Sequence, residues 1–149
     1  MSIDLYDEWI VVAATVFIVG LCVIVHYEGL ALMSRYLDSL KMQDRPRILL
    51  LINGVLCLHT IEIGIFAAGY YLLLLFPIFG ELIGLDGLTF WDCVYFSTVS
   101  YTTLGFGEIV PSDDIRFLTG FESLAGLVLI TWSASFTYIE MQKRWDADK

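Results

Sequence analysis

The residue pattern specifies an all-α integral membrane protein, with three transmembrane helices and a re-entrant segment between the second and the third. Of 149 residues, 58% are hydrophobic and 15% aromatic, and the mean hydropathy is strongly positive. A soluble domain of this size needs a largely polar surface, so that class is excluded. The apolar residues fall in three stretches, Trp9–Val25, Ile48–Gly80 and Phe117–Ile139. The first is uncharged, the second is interrupted only by Glu62 and the third only by Glu122. A crossing takes about 20 apolar residues, which makes three helices the economical count.

The first stretch is preceded by Asp4, Asp7 and Glu8, where a signal peptide needs positive charge, so it is expected to stay as a helix. Its helix is expected to continue along "HYEGLALMSRYLDSL", whose composition favours helix. Arg45-Pro46-Arg47 suits a helix start, because proline is tolerated in the first turn. The second stretch is too long for one perpendicular crossing and reads as a tilted or protruding helix ending near Pro77-Ile78-Phe79-Gly80. Cys22, Cys57 and Cys93 are dispersed, with neither disulfide nor metal-ligand spacing.

Charge sets the expected orientation. Arg35, Lys41, Arg45 and Arg47 lie between helices one and two, and Lys143, Arg144 and Lys149 follow helix three. The positive-inside rule makes both segments cytoplasmic. The N-terminus and the Glu81–Asp114 region are then outside and the C-terminus inside, in a plasma or inner membrane.

The segment "GLDGLTFWDCVYFSTVSYTTLGFGEIVPSDD" requires its own account. Thr89 can cap a helix, with Asp92 placing negative charge at the helix's positive end. A helix from Phe90 to about Thr102 is too short to span, and glycine-rich backbone and Pro111 follow it. Both ends lie on one side, which describes a re-entrant loop. Non-helical backbone at membrane depth is tolerated only where it is buried in protein or lines water, so the loop is expected to face a cavity.

From about Leu88 to Tyr138 the chain resembles the tetrameric potassium-channel pore family, including two-pore-domain and prokaryotic channel modules. Thr103-Leu104-Gly105-Phe106-Gly107 stands where the family has Thr-Val-Gly-Tyr-Gly, Thr102 precedes it, and "SLAGLVLITWSASF" is similar to the family's inner helix. The chain then divides into an extra N-terminal helix with its cytoplasmic connection over residues 1–45, a pore module over 46–141 and a short cytoplasmic tail over 142–149. Within the module the resemblance implies an outer helix 46–78, pore helix 90–102, filter 103–107 and inner helix 115–141. It also implies ion coordination by the carbonyls of Thr103, Leu104, Gly105 and Phe106 and by the Thr103 hydroxyl. Stacked carbonyls replace the water shell of a dehydrating cation, and Gly105 and Gly107 allow the alternating backbone hand that aims them at one axis. One chain supplies a quarter of such a ring, so a homotetramer is expected.

The match has departures. Phe106 replaces tyrosine and removes a hydroxyl; Tyr95 and Phe96 occupy the aromatic positions behind the filter, and the filter is expected to be more labile. Glu108 stands where aspartate is usual. Glu81, Asp86, Asp113 and Asp114 join it at the outer mouth, either concentrating cations or as a solvated acidic loop. Gly126 lies where the family places an inner-helix gating glycine, and serves either bending or close packing. At helical spacing Ile130, Ala134 and Tyr138 are expected to face the cavity. Glu62 and Glu122 are costly in lipid and must face protein or water. His59 and Glu62 can pair on one helical face, either as a pH sensor or as a satisfied interhelical hydrogen bond, and His26 and Glu28 are weaker candidates.

No helix carries arginine at every third position, so no voltage sensor of the usual kind is expected, and the tail is too short for a ligand-binding domain. The expected function is a potassium-selective channel subunit conducting K+ passively. It needs no cofactor, performs no catalysis and has lipid, its own copies and an unidentified regulator, but no nucleic acid, as partners. The alternatives are a weakly selective cation channel and a non-conducting modulatory subunit.

Overall fold

The computed structural model describes residues 3–40 and 44–147, with side chains described over 8–40 and 45–143. Lys41 and Lys149 lie outside the described residues, as do the side chains of Asp4, Asp7 and Arg144. Helix α1 runs Ile3–Ser39, α2 Asp44–Leu74, α3 Phe90–Tyr101 and α4 Ile115–Ala147. Among the described residues α1, α2 and α4 are long and apolar enough to cross a membrane. The apolar span of α1, Glu8–Ser39, has 32 residues. At about 1.5 Å per residue it is about 48 Å long, so it outreaches a hydrocarbon core of about 30 Å.

The outer helix is shorter than expected. α2 closes at Leu74, and Pro77–Phe79 forms a separate 3-10 turn behind an extended Phe76 (φ −115°, ψ 105°). Proline has no N–H to donate and disfavours helical backbone in the residue before it. The inner helix continues past residue 141 to Ala147, and α3 ends at Tyr101 with Thr102 as its cap. A two-stranded antiparallel ribbon was not expected: β1 (Leu82–Ile83) pairs with β2 (Val110–Pro111), Leu82 opposite Pro111. It ties the turn after α2 to the chain leaving the glycine-rich loop. A Cβ on Gly84 (φ +108°) would overlap the Glu108 carbonyl, so only glycine permits that approach.

The core lies where the four helices meet. Phe66, Ala67 and Tyr70 of α2 pack with Cys93, Phe96 and Tyr101 of α3, and with Leu118, Ala125 and Leu129 of α4. Ile18 and Cys22 of α1 close it from outside. α1 packs on both α2 and α4 and runs parallel to α4: His26 meets Ser133 midway, and Ser34 meets Glu140 further along. Phe17, Ile24 and Leu32 on α1 and Leu56 and Leu72 on α2 remain exposed, as surfaces bound for lipid or for other chains do.

Candidate functional site

The site begins with a helix that is started and stopped by its own residues. At the start of α3, the Thr89 hydroxyl accepts from the Asp92 amide at 3.3 Å and the Asp92 carboxylate accepts from the Thr89 amide at 2.9 Å. This reciprocal box satisfies two amides that the first turn leaves open. Thr89→Ala is expected to cost about 1 kcal/mol, read as a lowered midpoint of thermal unfolding in detergent; an unchanged midpoint refutes it.

At the other end the helix stop and the loop are one structure. The Thr103 amide donates to the Ser100 carbonyl and the Leu104 amide to the Val99 carbonyl, both at 3.0 Å. That pair of bonds is a Schellman motif, whose pivotal residue takes left-handed backbone and is usually glycine. Here it is Thr103, at φ 58°. Left-handed backbone is an outlier for a β-branched residue, and such strain, of order 1–3 kcal/mol, persists where a site needs it. Gly105 (φ 56°) and Gly107 (φ 82°) repeat the positive φ, while Leu104 and Phe106 do not share it. The backbone hand therefore alternates from Thr103 to Gly107. Threonine supplies a third reversal beside the two expected at Gly105 and Gly107.

All residues from Thr102 to Glu108 are exposed in the single chain, including Leu104 at 58% and Phe106 at 65%. Among the described residues no donor reaches the carbonyls of Thr103, Leu104, Gly105 or Phe106. Exposed carbonyls on alternating backbone can accept from water or, where several copies surround one axis, coordinate a cation.

The supports divide. The Tyr95 hydroxyl donates to Glu108. Phe96 instead packs edge-on against Tyr70 at 5.1 Å, within the core. The Ser123 hydroxyl holds the Ser100 carbonyl at 3.0 Å. Gly126 packs directly against the end of α3, where a Cβ would overlap the Tyr101 carbonyl oxygen and lie 2.9 Å from its carbon. Ile130, Ala134 and Tyr138 share a groove of about 470 Å3 between α2 and α4, with His59 and Ser133 also lining it.

Glu62 and Glu122, both fully buried, have partners. Glu122 accepts from the Ser97 hydroxyl and the Tyr70 hydroxyl, each at 2.5 Å. Glu62 takes three: His26 Nδ1 at 2.7 Å, His59 Nδ1 at 2.9 Å and the Tyr101 hydroxyl at 2.5 Å. The His59–Glu62 pairing is present, and His26, read as a weaker candidate, is fully buried within the same group. Glu28 has no part in it. Tyr101 is the last residue of α3, so this cluster ties α1 and α2 to the root of the loop.

By sequence, Arg47 is a cytoplasmic charge at a helix start. In the fold it is buried and grips the α1 end through the Leu37 carbonyl and Asp38 (2.8 Å), with Glu140 of α4 at 3.6 Å. Glu140 also pairs with Lys143 at 2.6 Å. A proline beside an arginine marks the helix start, but nothing local marks such a clasp.

A family model described as an ion channel matches residues 58–143, which is more than half of the chain and takes in α3, the loop and most of α4. No curated protein and no solved structure matches the chain.

Proposed function

We propose, from the premise that this chain belongs to the ion-channel family, that it is a potassium-selective pore subunit acting as a homotetramer. The observation that carries this reading is the loop backbone, whose hand alternates from Thr103 to Gly107 and whose carbonyls from Thr103 to Phe106 have no donor among the described residues. Alternation turns successive carbonyls to one side, and four copies about an axis stack them into oxygen rings that replace a cation's hydration shell. The carbonyls of Thr103, Leu104, Gly105 and Phe106 and the Thr103 hydroxyl then coordinate K+. Gly107 ends the row, and Glu108, held by Tyr95, marks its outer mouth. The C-terminal end of α3, partly negative, points into the same region.

Assembly is part of the proposal. Seven exposed residues of non-helical backbone, Thr102 to Glu108, are not tolerated against lipid and must face water or further chains. The subunit sits with its N-terminus outside and its C-terminus in the cytoplasm, and conduction is passive. Glu81, Asp86, Asp113 and Asp114 then raise the local cation concentration at the mouth.

The test is K+ and Na+ flux into liposomes holding purified protein, with the assembly weighed in detergent. K+ flux well above Na+ flux and a four-chain particle are expected. Gly105→Ala removes the flux, because each of four chains must hold alanine in left-handed backbone at about 1–2 kcal/mol apiece. Equal K+ and Na+ flux assigns the weakly selective reading. An absence of flux assigns the modulatory one, and an active preparation of monomers or dimers ends the tetramer.

A further inference from the structure

We propose that His26, His59 and Glu62 form a binding site for a divalent first-row transition cation of the zinc class, and that its occupancy suppresses conduction. The three residues offer one nitrogen each from two imidazoles and oxygen from a carboxylate, and these ligand atoms all lie within 4.8 Å of one another. Zinc bonds of about 2.0–2.2 Å at tetrahedral angles place neighbouring ligand atoms about 3.3 Å apart. The His26 and His59 contacts to Glu62, at 2.7 and 2.9 Å, are already inside that spacing, so small side-chain rotations suffice. The Tyr101 hydroxyl, 2.5 Å from Glu62 and 2.9 Å from His59, borders the site and keeps its proton, which leaves the fourth position open.

The surroundings fit a metal as well as the ligands do. Two imidazoles with a carboxylate favour borderline cations, whereas calcium and magnesium require oxygen cages. Ligating histidines present the other ring nitrogen to an outer partner, and His26 Nε2 has Ser133 Oγ at 3.4 Å. Each imidazole keeps one proton by moving it to Nε2, so binding releases none from the rings. His26 and Glu62 are fully buried, but His59 and Ser133 line the α2–α4 groove, which supplies an entry path.

The consequence for conduction follows from charge and position and rests on the proposed pore. Two positive charges arrive beside Tyr101, two residues before Thr103. They oppose the cation occupancy that the end of α3 favours, and they take the carboxylate that anchors Tyr101.

The experiment titrates the purified full-length protein with Zn2+ by equilibrium dialysis and with Co2+ by visible absorption, and measures K+ flux in liposomes with and without Zn2+. One Zn2+ per chain, the intense visible bands of tetrahedral Co2+, no competition from Mg2+ and at least a tenfold loss of flux are expected. His59→Asn, at the half-buried edge of the cluster, weakens binding more than about tenfold and relieves the block. Absent Co2+ bands together with unsaturable Zn2+ uptake overturn the site. So does equal binding by wild type and His59→Asn, and binding without loss of flux overturns the blocking role. A protein that conducts nothing even without metal counts against the pore and against the block, while the metal stoichiometry still decides the site.

Discussion

Gly126→Val is expected to abolish ion flux and to prevent stable assembly. The reason is geometric. α4 crosses the end of α3 at Gly126, and a Cβ there would overlap the Tyr101 carbonyl oxygen and lie 3.1 Å from the tyrosine ring. Neither side can give way cheaply. Tyr101 is pinned through its hydroxyl to Glu62 and His59, and the neighbouring Ser100 carbonyl is held by Ser123. Overpacking of a core costs about 1–3 kcal/mol when side chains absorb it, and more when backbone must move. The displaced backbone here leads directly into Thr103, where positional errors of about 0.5 Å matter to a functional site. Gly126→Ala separates this reading from a gating hinge. If glycine serves bending, alanine stabilises the helix by about 1 kcal/mol and alters open times. If glycine serves close approach, alanine lowers the unfolding midpoint and the flux together.

Glu62→Leu is expected to destabilise the fold by about 2–4 kcal/mol, and Glu122→Leu by only about 1–2 kcal/mol. Both carboxylates are fully buried, so burial does not distinguish them. The orphaned partners do. Without Glu122, the Ser97 hydroxyl can still donate to the Ile63 carbonyl at 3.0 Å, and Tyr70 can still donate to Thr119 Oγ1 at 3.1 Å. Without Glu62, Tyr101 can turn to His59, but His26 Nδ1 is left buried with no replacement within the cluster. An unsatisfied buried polar group costs its full desolvation, whereas a re-paired one costs little. Unfolding midpoints in detergent give the order directly, and a larger loss for Glu122→Leu would contradict it. Flux should follow the same order, because Glu62 bonds Tyr101 at the root of the loop directly, whereas Glu122 reaches α3 one turn earlier, at Ser97.

The helices were legible because their signals are local. Apolar length marks three spans, Thr89 and Asp92 mark the start of α3, and Pro77 marks the region where α2 ends, though the helix stops at Leu74, three residues before the proline. The glycine-rich loop was legible for the same reason, since Thr103 to Gly107 is a contiguous string. Gly126 was legible only as a choice between bending and packing, because a glycine reports that space is needed and not what occupies it. The β1–β2 ribbon went unseen because two-residue strands carry no periodicity.

By itself the amino-acid sequence determined the membrane-spanning class, the number of crossings and the position of the glycine-rich loop, all of which follow from composition over short windows. The tertiary structure alone decided that Glu122 meets Tyr70, 52 residues away, that Arg47 clasps three helices, and that His26 joins His59 and Glu62 beneath Tyr101. Apolar residues state where a helix goes, because lipid answers each of them separately. A buried polar group must be satisfied by one particular neighbour, and that neighbour is chosen only when the helices pack.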